Sequence, residues 1–196
     1  MTILVTGATG RVGRQVVKQL LELNADVRVL MRNSSSADFP AQVEVVQGEM
    51  LNIGSLRQAF AGISTFFLLN AVAPDEFTQA LVALNIARES GVKRVVYLSV
   101  IHADRFVNVP HFAVKLGAER MIKAMGFSAT ILRPSYFIDN EVMVQEAILS
   151  HGVYQCPSAA KASPWSTSVT SLKLLPLNCS VETDCRLSCR SKRLIW

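Results

Sequence analysis

The chain has 196 residues, half of them hydrophobic and 18% charged, a composition that describes one globular protein with a real core and excludes a disordered one. Its formal charge of +5 is scattered without a block of like charges, so a solvated surface is expected and not a nucleic-acid face. No apolar run reaches membrane-spanning length, and the opening MTILVTGATG lacks a basic region followed by an apolar stretch; neither a membrane span nor a signal peptide is expected, and the reading points to the cytoplasm.

Residues 2–6, TILVT, form a short apolar β-prone run that ends at a glycine-rich turn, GATGRVG. An apolar stripe at helical spacing follows, with Val12, Val16, Val17, Leu20 and Leu21. VRVLMR at 27–32 reads as a second strand. A polar loop, NSSSADFP, leads to a third, VEVVQG. SLRQAFAG reads as a short helix and STFFLLN as a fourth strand. The helical stretch from Asp75 to Ser90 stops at Gly91. KRVVYLSV is a fifth strand, HFAVKLGAERMIKAMG another glycine-closed helix, and SATILRP a sixth strand. The strands are continuous apolar runs, the pattern of strands covered on both faces. The expected class is therefore α/β, a doubly wound parallel sheet with helices on each side.

The turn after the first strand carries the first chemistry. Glycines fall at 7, 10 and 13, directly after a strand and opening a helix. Gly7 permits the tight turn, Gly10 lets a pyrophosphate approach the backbone, and Gly13 lets the helix lie close to the strand. The helix N-terminus then presents its amides and partial positive charge to the phosphates. Gly7, Thr9, Gly10, Arg11, Val12 and Gly13 are the candidate cofactor-binding residues of this turn. The residue closing the second strand selects the dinucleotide. An acid there would bond the ribose 2′-OH of NAD, whereas Arg32 suits the 2′-phosphate of NADP, with Arg11 as a second positive contact. NADP(H) is the preferred cofactor and NAD(H) the alternative. A solvated strand end is the plain structural reading of Arg32.

These segments together resemble a known family. GATGRVG, the arginine closing the second strand, FFLLNAVAP, GVKRVVYLSV, the HFAVKLGAE helix and ATILRPSYFIDN are similar to the NmrA-like group of atypical short-chain dehydrogenases/reductases, over residues 1–154. The resemblance implies a Rossmann NAD(P)-binding domain and a smaller C-terminal lobe that closes over the substrate. It also implies either NADPH-dependent quinone reduction or regulation by a dinucleotide that is bound without evident turnover. By position, Glu49 falls where the family carries an aspartate near the adenine, and Leu69 and Asn70 end the fourth strand beside the cofactor. Ser99 occupies the place of the catalytic serine of ordinary short-chain dehydrogenases. Their Tyr-x-x-x-Lys pair falls on His111 and Lys115, so the lysine is kept and the tyrosine is not. His111 and Lys115 share a helix face, and a histidine can donate a proton near neutral pH. Lys115 is the expected nicotinamide-ribose contact. Tyr136 and Phe137 are expected to line the nicotinamide side. The competing structural readings are a polar helix start for His111, a strand-end cap for Ser99 and ordinary packing for Tyr136 and Phe137.

Composition changes abruptly near residue 155. Cys156, Cys179, Cys185 and Cys189 are all the cysteines of the chain, and Trp165 and Trp196 are both its tryptophans. The cysteine spacings contain no C-x₂-C pair, so no metal site is expected. Read one base out of frame, residues 155–196 can encode a coherent amphipathic helix, IRDIAEAAAIELLRR, similar to how the family continues. The expected organisation is a dinucleotide-binding domain at 1–154 and a frameshifted, disordered tail at 155–196. On that reading the substrate lobe is missing or scrambled. The leading function is NADPH-dependent reduction of a quinone or small carbonyl by hydride transfer. The alternatives are a non-catalytic NADP(H)-sensing regulator with a protein partner, or an inactive truncated product. Expected partners are the nicotinamide dinucleotide and a small molecule such as a quinone, with no nucleic acid and no membrane.

Overall fold

The computed structural model describes residues 1–33 and 39–135, together with Phe137, Asn140, Gln145 and Leu149. The serines after Asn33, Tyr136, the four cysteines and both tryptophans lie outside the described residues. Ten elements follow in order: β1 Thr2–Val5, α1 Arg11–Glu22, β2 Asp26–Met31, β3 Val43–Gln47, α2 Ile53–Phe60, β4 Thr65–Leu68, α3 Glu76–Glu89, β5 Arg94–Leu98, α4 Pro110–Ala124 and β6 Ser128–Leu132. The strands form one sheet in the order β3-β2-β1-β4-β5-β6, and every pairing is parallel. This is the strand order of the Rossmann dinucleotide-binding fold, with its reversal between β1 and β4.

The continuous apolar runs have a direct structural meaning. Side chains alternate across a strand, so each central strand feeds two cores. On one face Leu4, Phe66, Leu68, Val95 and Tyr97 meet Leu56, Phe60, Leu84 and Ile122 from α2, α3 and α4. On the other, Ile3, Val5, Val27, Val29, Phe67 and Val96 meet Val16, Val17 and Leu20 from α1. A strand covered on both faces has few polar positions, so its residues read as a nearly unbroken hydrophobic string.

The helices end at the glycines marked in the sequence, with Gly91 after α3 and Gly126 after α4. The start of α2 differs from the expectation at Ser55. Asn52 is the N-cap, its Oδ1 accepting the Ser55 N–H at 3.0 Å, so the helix begins at Ile53. Ser55 instead joins the preceding turn, where its Oγ accepts the Glu49 N–H at 3.2 Å. Where α3 passes α4, Gly117 admits the Phe77 ring; a Cβ there would lie 2.9 Å from Phe77 Cε2. That close approach brings the first turn of α3 against the first turns of α4. Among the described residues, no helix is long and apolar enough to cross a membrane.

Candidate functional site

Parallel strands put all their carboxyl ends on one edge of the sheet, and the crevice of such a fold opens where the strand order reverses. Here that point lies between the ends of β1 and β4. Thr6 ties the two ends together. Its hydroxyl donates to Leu69 O at 3.1 Å and accepts the Leu69 N–H at 3.0 Å. The chain then turns at Gly7 with φ +63, and a Cβ on Gly7 would lie 2.8 Å from Leu69 O. Gly10 N–H donates to Gly7 O at 3.0 Å, closing the turn, and Gly10 is the N-cap of α1. No side chain caps this helix and no acid stands in its first turn. Its N-terminus is therefore left to whatever anion approaches. Gly13 is the tightest position: a Cβ there would lie 2.1 Å from Gly7 O and 2.7 Å from Ala8 Cα. Gly10 differs, since its Cβ would meet only Gly7 O, at 3.3 Å. The three glycines thus differ in what a Cβ would meet. Thr9 and Arg11 are exposed and Val12 is half-buried on this loop.

The flanking cofactor candidates gather on the same edge. Arg32 follows β2, exposed, with its carbonyl accepting from Gln47 Nε2 at 3.2 Å. Glu49 is exposed beyond the end of β3. Asn70 follows Leu69 just past β4 and is only 8% exposed. Both its side-chain amide atoms are buried without a hydrogen-bond partner. Buried amides are nearly always satisfied, and among the described residues this one is not.

The candidate catalytic residues are held by two buried carboxylates that the sequence reading passed over. Glu76, in the first turn of α3, is 2% exposed. Its Oε1 lies 2.8 Å from Lys115 Nζ, and its Oε2 lies 2.9 Å from His111 Nδ1. Lys115 is itself buried, donates to Leu98 O at 3.1 Å, and sits 5.1 Å over the Tyr97 ring. Glu119, also 2% exposed, accepts the Ser99 hydroxyl at 2.5 Å and pairs with Arg133 through both oxygens. Ser99 and Lys115, expected to face the substrate and the ribose, therefore point their polar atoms at Glu119 and Glu76. Glu119 lies one helical turn after Lys115, a spacing that suggests a pair, yet its partners are Ser99 and Arg133. Glu76 reads in the sequence only as an acid at a helix start.

Tyr97 lies between these pairs, fully buried, with a hydroxyl that has no partner. Burial pushes its phenol well above the ordinary value, and Glu76 and then Glu119 add to the shift. The unfolded chain releases this proton above about pH 10, whereas the folded chain keeps it. Stability is therefore whole below about pH 10 and falls beyond it, by about 1.4 kcal/mol per pH unit from this group. Tyr97→Phe is expected to flatten that alkaline slope in urea unfolding. It is also expected to raise Tm at neutral pH, because it removes an orphaned hydroxyl that costs about 1–3 kcal/mol.

The NmrA-like family model matches residues 1–178. The chain belongs to the NmrA-like family. The matched span runs past residue 154, where composition suggested a boundary. The NAD(P)H azoreductase of Xenophilus azovorans is 26% identical over 170 residues, covering 83% of this chain and 58% of that protein. The triphenylmethane reductase of Citrobacter sp., solved in complex with NADP(H), superposes with a TM-score of 0.78 at 27% identity, covering 88% of this chain and 63% of the other. The NADPH complex of the quinone oxidoreductase QOR2 of Escherichia coli gives a TM-score of 0.70 at 26% identity, covering 78% and 55%. The chain spans about half the length of the curated relatives it matches.

Proposed function

We propose that this chain binds NADP(H) across the β1–β4 crevice and serves the NADPH-dependent reduction of a quinone or small carbonyl. The observation that carries the reading is the turn at residues 7–13. It has an uncapped helix N-terminus, a Gly10 with almost nothing in the way of a ligand, and the orphaned Asn70 amide beside it. The residues present fit a dinucleotide: the turn and α1 would hold the pyrophosphate, Arg32 the 2′-phosphate, and Asn70 a polar group nearer the nicotinamide. Bound NADPH supplies a hydride to the substrate, which takes up a proton to complete the reduction. The azoreductase, the triphenylmethane reductase and the quinone oxidoreductase support a redox reading of this kind.

Titrating the chain with NADPH and NADH tests the cofactor. NADPH is expected to bind more tightly, and Arg32→Asp is expected to reverse the preference by repelling the 2′-phosphate. Unchanged selectivity would remove Arg32 from the 2′-phosphate site. Failure of either dinucleotide to bind at millimolar concentration would sink the reading.

One observation favours the second reading, a regulator that binds NADP(H) without turning it over. Ser99 and Lys115 are committed to Glu119 and Glu76 inside the protein, and the usual tyrosine is His111. Loss of reduced-nicotinamide absorbance with a panel of quinones separates the two. Tight, NADP-selective binding without consumption would favour the regulator.

A further inference from the structure

Three residues stand where proton chemistry is expected, and two of them are already engaged. The Ser99 hydroxyl has one proton, and it goes to Glu119. Lys115 is buried against Glu76 and Leu98 O. His111 is different: its side chain is 29% exposed, and among the described residues only Nδ1 of its two ring nitrogens is taken, by a carboxylate that is 2% exposed. Such a carboxylate decides where the imidazole carries its proton. Glu76 sits in the first turn of α3, with its other oxygen, Oε1, 2.8 Å from the Lys115 ammonium. An ionised carboxylate only accepts, so Nδ1 must be the donor.

We propose that Glu76 is a positioning residue that holds His111 as the Nδ1–H tautomer and leaves Nε2 as the nitrogen that exchanges a proton with the substrate. The proton-delivery half of this inference rests on the reductase reading above; the tautomer half does not. In its protonated form the ring gives the Nε2 proton to the substrate oxygen. The N–H bond breaks, the O–H bond forms, and the neutral ring keeps its remaining proton on Nδ1 against Glu76. Solvent restores the Nε2 proton through the exposed side of the ring. Lys115 has its own part, as the counter-charge 2.8 Å from the other oxygen of the same carboxylate.

The test is the nitrogen spectrum of the 196-residue chain labelled with ¹⁵N-histidine, with no dinucleotide present, at a pH where the ring is neutral. The His111 signals are assigned by their loss in His111→Asn. Wild type is expected to show the Nδ1–H pattern. Glu76→Leu/Lys115→Met, which removes the carboxylate without stranding the lysine, is expected to revert to the Nε2–H tautomer that free imidazole side chains prefer. An Nε2–H pattern in wild type overturns the proposal whatever the variant does. So does an Nδ1–H pattern that persists in a folded double variant. In parallel, kcat for a quinone accepted by the wild type is expected to fall about a hundredfold in His111→Asn, with the KM for NADPH little changed. An unchanged kcat there overturns proton delivery. If NADPH binds and no quinone is consumed, the reductase reading fails and proton delivery with it, while the tautomer result is read independently.

Discussion

Alanine at Gly13 is expected to destabilise the chain and abolish dinucleotide binding together, whereas alanine at Gly10 is expected to separate the two. At Gly13 the new methyl would sit 2.1 Å from Gly7 O and 2.7 Å from Ala8 Cα. Both are backbone atoms, and neither can rotate aside as a side chain can. The first turn of α1 must lift away from the loop, taking Val16 and Val17 with it out of their core. Overpacking of this kind costs about 1–3 kcal/mol or more, and the displaced loop no longer presents its amides to an anion. At Gly10 the only close atom is Gly7 O, at 3.3 Å, so the fold should survive with a Tm near wild type. The methyl would instead occupy the approach to the helix N-terminus, and NADPH affinity is expected to drop at least tenfold. Thermal melts and NADPH titrations of both variants decide it. A Gly10→Ala chain that binds normally would place the phosphates elsewhere.

Glu76→Ala is expected to be the most damaging single change outside the glycine turn. It leaves the Lys115 ammonium, 5% exposed at its side chain, without its counter-charge. Breaking a buried pair by removing one partner costs about 3–5 kcal/mol, because the remaining charge stays out of water. The His111 ring loses its anchor in the same step. Glu76→Leu/Lys115→Met, by contrast, is expected to recover most of the loss, since replacing both partners with apolar side chains of similar size is often neutral. Urea unfolding of the three proteins measures this directly. A Glu76→Ala chain as stable as wild type would show that Lys115 reaches solvent or another acceptor when freed.

The layout of the sheet was legible because its causes are local. Continuous apolar runs and stripes near period four name the strands and helices, and three glycines between β1 and α1 name the crevice. The resemblance puts Asn70 beside the cofactor, and the structure shows it buried just past the end of β4. The carboxylates were not legible, and the reason is distance along the chain. Glu76 meets His111 across 35 residues, and no pattern near either residue records the partner. Glu119 is no more legible, since it stands at ion-pair spacing from Lys115 yet takes Ser99 and Arg133. Glu76 reaches Lys115 and His111 because α3 packs on α4, where Gly117 lies against Phe77. Asn52 was overlooked for a smaller reason: Ser55 is as good a capping residue, and only the turn decides between them.

The Thr6 bracket has a bearing on how a ligand is met. One hydroxyl, both donor to and acceptor from Leu69, fastens the ends of β1 and β4 at the point where the two halves of the sheet diverge. The mouth is therefore pinned at this point and not hinged. A ligand entering there would meet backbone already ordered by folding, so little further freedom would be surrendered on association.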